Sequence, residues 1–284
     1  MLEGAFRPGF VERGASRISR ASRRRKHKRP ILPVTITALE DIPLVQPGDD
    51  LAALLIDALA RAGLTPLPFD ILVIAQKIVS KAQGRFVELA SLTPSQEAIE
   101  LSEVSGKDSR LVEAILREAR EVVRARRGLI IVETHEGLVM ANAGIVQSNL
   151  SAADQGRRVL LLPDNAQRSA EELKTKLDAH FGAAIGVIIS DSVGRAFRLG
   201  TVGLAIGAVG VPALWDRRGE ADLSGRRLEA TEVGFADAVA AAAVLAMGEA
   251  AEGRPAALVR GLEWKAPSRP ASALVRPKSE DLFR

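Results

Sequence analysis

Two glycine-rich stretches hold the residue types most suited to chemistry. Residues 135–150 read HEGLVMANAGIVQSNL and residues 187–200 read VIISDSVGRAFRLG. Each is an apolar run that stops at small and polar residues: Asn142, Gly144, Ser148 and Asn149 in the first, Ser190, Asp191, Ser192, Gly194 and Arg195 in the second. Glycine lets the backbone approach a bound group closely, and hydroxyl, amide and carboxylate side chains beside it suit phosphate and a hard cation. Lys77 and Lys81 follow another apolar run, 71–75. If the chain turns helical there, their i,i+4 spacing puts both ammonium groups on one face. The spacings match neither a Walker A loop nor a Rossmann fingerprint. The chemistry they predict is that of phosphate and metal on a less common scaffold.

These groups need elements to hold them. A β-rich run at 34–39 reads as a strand; Pro43 and Pro47 then shape a loop, and Asp49 or Asp50 caps a helix running to about Ala62. Residues 71–75 fit a buried strand, with 76–85 as its polar exit. The stretch 93–127 reads as helical: Thr93, Pro94, Ser95 and Gln96 open one helix, Gly106 and Asp108 break it, and Leu111, Ile115, Leu116, Ala119 and Val122 continue with amphipathic spacing. Strands are expected at 129–133, 138–141, 159–162 and 185–190, with a helix at 169–179. Residues 204–211 are apolar and glycine-rich, and a polar segment follows at 215–232. An alanine-rich helix at 235–247 stops at Gly248, and a tail with Pro267, Pro270 and Pro277 is expected to be loosely held. Strands mix with helices without strict βαβ alternation, which favours an α+β fold over a doubly wound sheet.

With 284 residues the chain is long enough for a large core and two lobes. It has no apolar run of membrane-spanning length. Zero cysteines exclude disulfides and thiolate metal sites, and agree with a cytoplasmic address. Aromatics make up only 4%, too few for the base-stacking platforms of RNA-recognition modules. The net charge of +4 is unevenly spread: residues 1–30 hold ten Lys/Arg against two Glu, and the remainder carries 29 basic and 33 acidic residues. The basic character belongs to the N-terminal segment, which reads as a disordered, solvated extension. Its run Arg23, Arg24, Arg25, Lys26, His27, Lys28, Arg29 is the one feature suited to nucleic acid or anionic lipid.

Taken in order, several segments resemble the coenzyme F420-0:L-glutamate ligase family, the γ-glutamyl ligases of deazaflavin cofactor biosynthesis. They are IPLVQPGDDL (42–51), VIAQKIVSKAQGR (73–85), SGKDSRLVEAILRE (105–118), HEGLVMANAGIVQSN, LLPDNAQRSAEEL, ISDSVGRAFRLG, AIGAVG and MGEAAEGRP (247–255). The likeness spans residues 34–260. It implies an α+β fold of two subdomains with mixed sheets and packed helices, paired as an intertwined homodimer. The ligase domain would occupy 31–262, between the basic extension at 1–30 and a proline-containing tail at 263–284. The implied activity joins the amine of L-glutamate to a carboxylate of F420-0 at the expense of GTP, through an acyl phosphate. Further γ-linked glutamates can follow. Mg²⁺ or Mn²⁺ is required and K⁺ assists.

Carried over by position, the resemblance assigns Ile42, Pro43, Leu44 and Val45 to the nucleotide, together with Gln76, Lys77, Lys81 and Asn149. A second nucleotide strip comprises Met247, Gly248, Ala250, Ala251, Glu252, Gly253 and Arg254. Asp191, Ser192 and Glu249 are the expected metal ligands, and Lys81, Asp191 and Arg195 the expected catalytic groups. Read from the residues alone, Asp191 and Ser192 could hold a cation or cap a turn, and Arg195 and Arg198 could offer guanidinium groups to phosphate or substrate carboxylates or be surface arginines. His135 reads as a structural histidine; Asp216 and Asp222 read as an exposed charged loop, and only their place in the resemblance makes them candidates for the glutamate or F420-0 pocket.

Two positions depart from the family pattern. Val146 stands where the family has a metal-binding Asp, and Glu249 where it commonly has Gln. Valine cannot coordinate a cation, while Glu249 restores the lost charge. Three rival readings remain at this point: a non-catalytic nucleotide-binding paralogue, the same ligase chemistry on another acceptor carboxylate, and a nucleic-acid tether acting through the basic segment.

Overall fold

A computed structural model describes residues 33–147 and 156–282. The basic N-terminal run and Asn149 therefore lie outside the described residues. In chain order the elements are β1 (Thr35–Leu39), α1 (Leu51–Arg61), β2 (Ile71–Ala75), α2 (Gln76–Ala82), β3 (Phe86–Glu88), α3 (Gln96–Ser105) and α4 (Ser109–Glu118). There follow β4 (Ala119–Arg126), β5 (Leu129–Thr134), β6 (Val139–Ala141), β7 (Arg158–Leu160), α5 (Ala166–Phe181), β8 (Gly186–Arg195) and β9 (Arg198–Val209). The last are β10 (Leu214–Asp216), β11 (Glu232–Gly234), α6 (Phe235–Met247) and β12 (Ala256–Arg260). The fold is a mixed α+β arrangement, and none of its described helices is long and apolar enough to cross a membrane.

Local chemistry sets most helix ends. Asp50 accepts hydrogen bonds from the Ala52 and Ala53 amides at the start of α1, and Ser95 does the same for Ala98 in α3. Gly106 and Gly182 close α3 and α5 in the left-handed conformation.

The central sheet has five strands in the order β1-β12-β2-β8-β9. Only β2 and β8 run parallel. Residues of β2 alternate between its two faces: Leu72 and Ile74 join α1, α2 and α5 in one core, while Ile71 and Val73 join α6 in another. Burial on both sides explains why β2 reads as an unbroken apolar run. Outer strand β9 is squeezed from both faces at its glycines. A Cβ at Gly203 would stand 2.6 Å from the Ala240 carbonyl of α6, and one at Gly207 2.4 Å from the Ala166 carbonyl of α5. A third core lies among α3, α4, β5 and β7, around Val112, Ile115, Ile130, Val132 and Val159.

Several expectations need correction. The helical reading of 93–127 ends at Glu118, because β4 pairs antiparallel with β5 across a turn at Arg127 and Gly128. The exit from β2 is helical from its first residue, and α5 starts three residues earlier than expected, capped by Asn165. Strand β8 does not end at Ser190. It runs five residues further as a ribbon with β9, so Asp191 and Ser192 are strand residues. The C-terminal tail is docked rather than loose: Arg269 bridges Pro212, Trp264 packs against Phe69 and Phe235, and Ala271 is buried.

Candidate functional site

The parallel pair β2 and β8 ends at Ala75 and Ser190, which lie opposite each other. Beyond that point β2 becomes α2, while β8 continues in company with β9 alone. The two chains thus part at the carboxyl ends of parallel strands, where open α/β sheets bind their ligands. A cavity of about 500 Å³ opens here, a volume in the range of small-molecule sites.

Four segments far apart in the chain supply most of its lining: residues 42–46, α2 with its preceding strand end, residues 190–192, and Val244 with residues 247–255. Among the residues assigned by resemblance, Ile42, Pro43, Leu44, Val45, Gln76, Lys77, Lys81, Asp191, Ser192, Met247, Gly248, Glu249, Ala250, Ala251, Glu252, Gly253 and Arg254 all belong to this one lining. Gly248 turns with φ +84°, and a Cβ there would collide with the Glu252 carboxylate, which accepts the Ala250 amide at 2.8 Å. That contact shapes the 247–254 strip.

Arg195 is not part of the lining. It sits at the exposed end of β8 and donates to the Leu199 carbonyl at 3.2 Å. Arg198 is likewise exposed beside the same hairpin turn. Val146 is also outside the lining: its backbone exchanges hydrogen bonds of 2.9 and 3.0 Å with Leu160. The ring of His135 pairs with the Arg117 carbonyl at 3.1 Å, which requires a proton on Nε2 and fits a structural role. Asp216 pairs with Arg218, and Asp222 accepts amides of its own turn, so both carboxylates serve their local loop.

Within the cavity wall, Gln76 is buried and bridges two partners. Its Oε1 accepts from Ser80 Oγ at 2.9 Å, which orients the amide so that Nε2 faces Asp191 Oδ1 at 3.5 Å. Ser192 Oγ donates to Glu249 Oε1 at 2.8 Å. Asp191 keeps some surface open to the cavity, yet the protein encloses it closely enough to raise its pKa to about 6. Burial is the main cause and repulsion from Glu249 adds to it, against the Ser192 amide, Gln76 and the charge of Lys77. Burial, and then the charge of Lys77, hold Lys81 below the usual lysine range.

The donor set fits a hard divalent cation. Asp191, Glu249 and Ser192 offer oxygen only, with no sulfur or imidazole among them. No three His, Asp or Glu side chains cluster as a self-sufficient metal site among the described residues. The wall fits an anion as well: α2 supplies Lys77 and Lys81, and the 247–254 strip supplies Arg254.

Ser190, singled out by its residue type, lines the cavity as well, whereas sequence reasoning assigned no role to Gln46, Ala75, Ile78, Phe86, Val244 and Pro255, which also line it. Phe86 follows the VIAQKIVSKAQGR segment directly, and a lone aromatic beside a lysine-bearing helix was the available signal.

A family model described as F420-0:Gamma-glutamyl ligase matches residues 40–261. The Coenzyme F420:L-glutamate ligase of Methanothermobacter thermautotrophicus is 46% identical over 253 residues, covering 88% of this chain and 99% of that protein. The protein of the same name from Methanopyrus kandleri is 47% identical over 255 residues, with coverage of 87% and 97%. That of Methanosarcina mazei is 38% identical over 227 residues, with coverage of 80% and 85%.

Proposed function

Since the chain belongs to the F420-0:gamma-glutamyl ligase family, we propose that it joins L-glutamate to the carboxylate of coenzyme F420-0, using GTP and a divalent cation. It is an enzyme of the ligase kind. The observation that carries the finer reading is the convergence of four distant segments on one cavity. Lys77, Lys81 and Arg254 share that cavity with an all-oxygen donor set.

In the proposed reaction the γ-phosphoryl group passes to an oxygen of the acceptor carboxylate, and its bond to the β-phosphate oxygen breaks with the electron pair left on GDP. The glutamate amine then attacks the acyl carbon. The new C–N bond replaces the C–O bond to phosphate, whose electron pair leaves with the phosphate, and the amine proton passes to solvent. Phosphoryl transfer of this kind depends on positioning and charge neutralisation.

Lys77 and Lys81 meet phosphate oxygens along one face of α2, and Arg254 adds positive charge to the same wall. Asp191, Ser192 and Glu249 hold the cation, which supplies neutralisation of phosphate charge. Gln76, fixed by Ser80, keeps the Asp191 carboxylate oriented. Glu249 provides a second carboxylate, so the cavity keeps two anionic ligands although residue 146 is valine. Further glutamates follow by the same two steps on the new terminal carboxylate.

The working form is proposed to be a homodimer assisted by K⁺. Large apolar side chains stand exposed at the β8–β9 turn, Leu199 at 98% and Phe197 at 87%, which a partner surface would bury. Incubation with F420-0, L-glutamate, GTP and Mn²⁺ tests the function. Addition of glutamyl mass with stoichiometric GDP supports it, and GTP bound without any product contradicts it.

A further inference from the structure

Among the described residues Phe86 is the one aromatic that lines the cavity, and neither the resemblance nor the proposed reaction uses it. It opens β3, which pairs antiparallel with β7 so that Phe86 faces Leu160 and Glu88 faces Arg158. Side chains two apart on a strand share a face, so Phe86, Glu88 and Arg158 meet on one side of this small sheet. The Arg158 guanidinium lies over the Phe86 ring, 5.0 Å from its centroid, and its Nε stands 2.9 Å from Glu88 Oε1. One face of the ring is thereby covered by a tethered cation, which fixes the plane of the ring at the cavity wall.

Its place along the cavity matters as much. Helix α2 has seven residues and spans about 10 Å. At its start Gln76 adjoins Asp191, with Ser192 and Glu249 beyond. At its end stands Lys81, after which the chain turns at Gly84 and delivers Phe86, whose amide donates to the Gly84 carbonyl at 2.7 Å. Leu44, 84% exposed, lines the same cavity. The site is polar and oxygen-rich at one end of α2 and carries a half-buried aromatic ring past the other. Large apolar groups left in contact with solvent inside a ligand cavity are what a planar, apolar ligand surface replaces.

We infer that Phe86 is a stacking platform for a planar heteroaromatic ring of a bound substrate, held rigid by Arg158 behind it. The inference rests on the proposed function, which supplies two ligands with such a ring: the guanine of GTP and the deazaflavin of F420-0. Both share the chemistry that an aromatic face recognises. Every such ring offers a π face to stack, and the β3–β7 geometry presents Phe86 as the platform for one of them.

The test measures binding of GDP, F420-0 and inorganic triphosphate, each separately, to the full chain and to its Phe86→Leu and Phe86→Trp variants. Phe86→Leu keeps an apolar side chain but removes the π face. It is expected to weaken one of the two ring-bearing ligands about tenfold. Triphosphate binding and thermal stability should stay unchanged, and Phe86→Trp should restore the affinity. A selective loss for GDP assigns the platform to the nucleobase, and one for F420-0 to the acceptor ring. Unchanged affinity for both overturns the inference while leaving the proposed function intact. So does a parallel loss for triphosphate that Phe86→Trp fails to restore, which would mark Phe86 as a packing residue. A wild-type chain that binds neither ring-bearing ligand overturns the inference together with the function on which it rests.

Discussion

Ser192 Oγ donates a 2.8 Å hydrogen bond to Glu249 Oε1, joining a residue of the long β8 strand to one just past α6. The two are 57 positions apart in the chain. Their contact, next to Asp191, draws two distant segments into one oxygen-rich corner of the cavity.

If this corner holds the cation, Glu249→Gln should weaken Mn²⁺ binding by about 10–100-fold, the scale seen for partners around a metal. Ser192→Ala should cost less alone. Because the two side chains touch, the double variant should depart from the sum of the single ones by about 0.5–3 kcal/mol. A Mn²⁺ titration of the four proteins measures this, and strict additivity would place the cation elsewhere.

Asp191 provides a pH-dependent signature. Its carboxyl titrates near 6 in the folded protein against an ordinary value of 3.8, so the native state holds this proton more tightly than the unfolded chain. The associated stability is fully present below about pH 4 and is lost as pH rises through 6. At pH 7.5 without cation, Asp191→Asn should therefore raise the melting temperature rather than lower it. The same substitution should abolish the stabilisation given by Mn²⁺, and the wild-type affinity for Mn²⁺ should fall as pH drops below 6. Thermal melts with and without Mn²⁺ at several pH values check all three outcomes.

Lys81 is predicted to act mainly on the transferring phosphoryl group. Lys81→Met, which keeps the unbranched stem and removes the charge, should reduce kcat/KM for GTP by on the order of 100-fold or more. The effect on the KM for glutamate should be small. Steady-state kinetics with each substrate varied in turn distinguish this from a general loss of fold.

On the fold itself, Gly203→Ala introduces a Cβ that would stand 2.6 Å from a backbone carbonyl of α6. Backbone cannot move aside as a flexible side chain would. The expected destabilisation is about 1–3 kcal/mol, read as a lower urea midpoint with an unchanged slope.

How much of this was legible in the residues depends on how local the deciding interaction is. Helix α1 was readable because Asp50 caps it directly, and α6 because Gly248 ends it. Strand β2 was readable because burial on both faces leaves an unbroken apolar run. Strand β4 was not: Ala119 and Val122 continue a helical spacing, and only pairing with β5 makes the segment extended. The length of β8 was hidden for a similar reason, since its outer half is polar and glycine-bearing and is held by β9 alone. For the site, motif order assigned most of the cavity lining. It could not reveal that Arg195 projects away on the hairpin, nor that a turn at Gly84 brings Phe86 back to the cavity.

The most direct test of the central claim follows oxygen. F420-0 labelled with ¹⁸O in its acceptor carboxylate is incubated with the protein, L-glutamate, GTP and Mn²⁺, and the products are weighed. The account predicts F420 extended by glutamyl units, an equal amount of GDP, and one ¹⁸O atom carried into inorganic phosphate for the first bond made. Absence of a glutamyl product would contradict the ligase reading. A glutamyl product with no label in phosphate would contradict activation through an acyl phosphate.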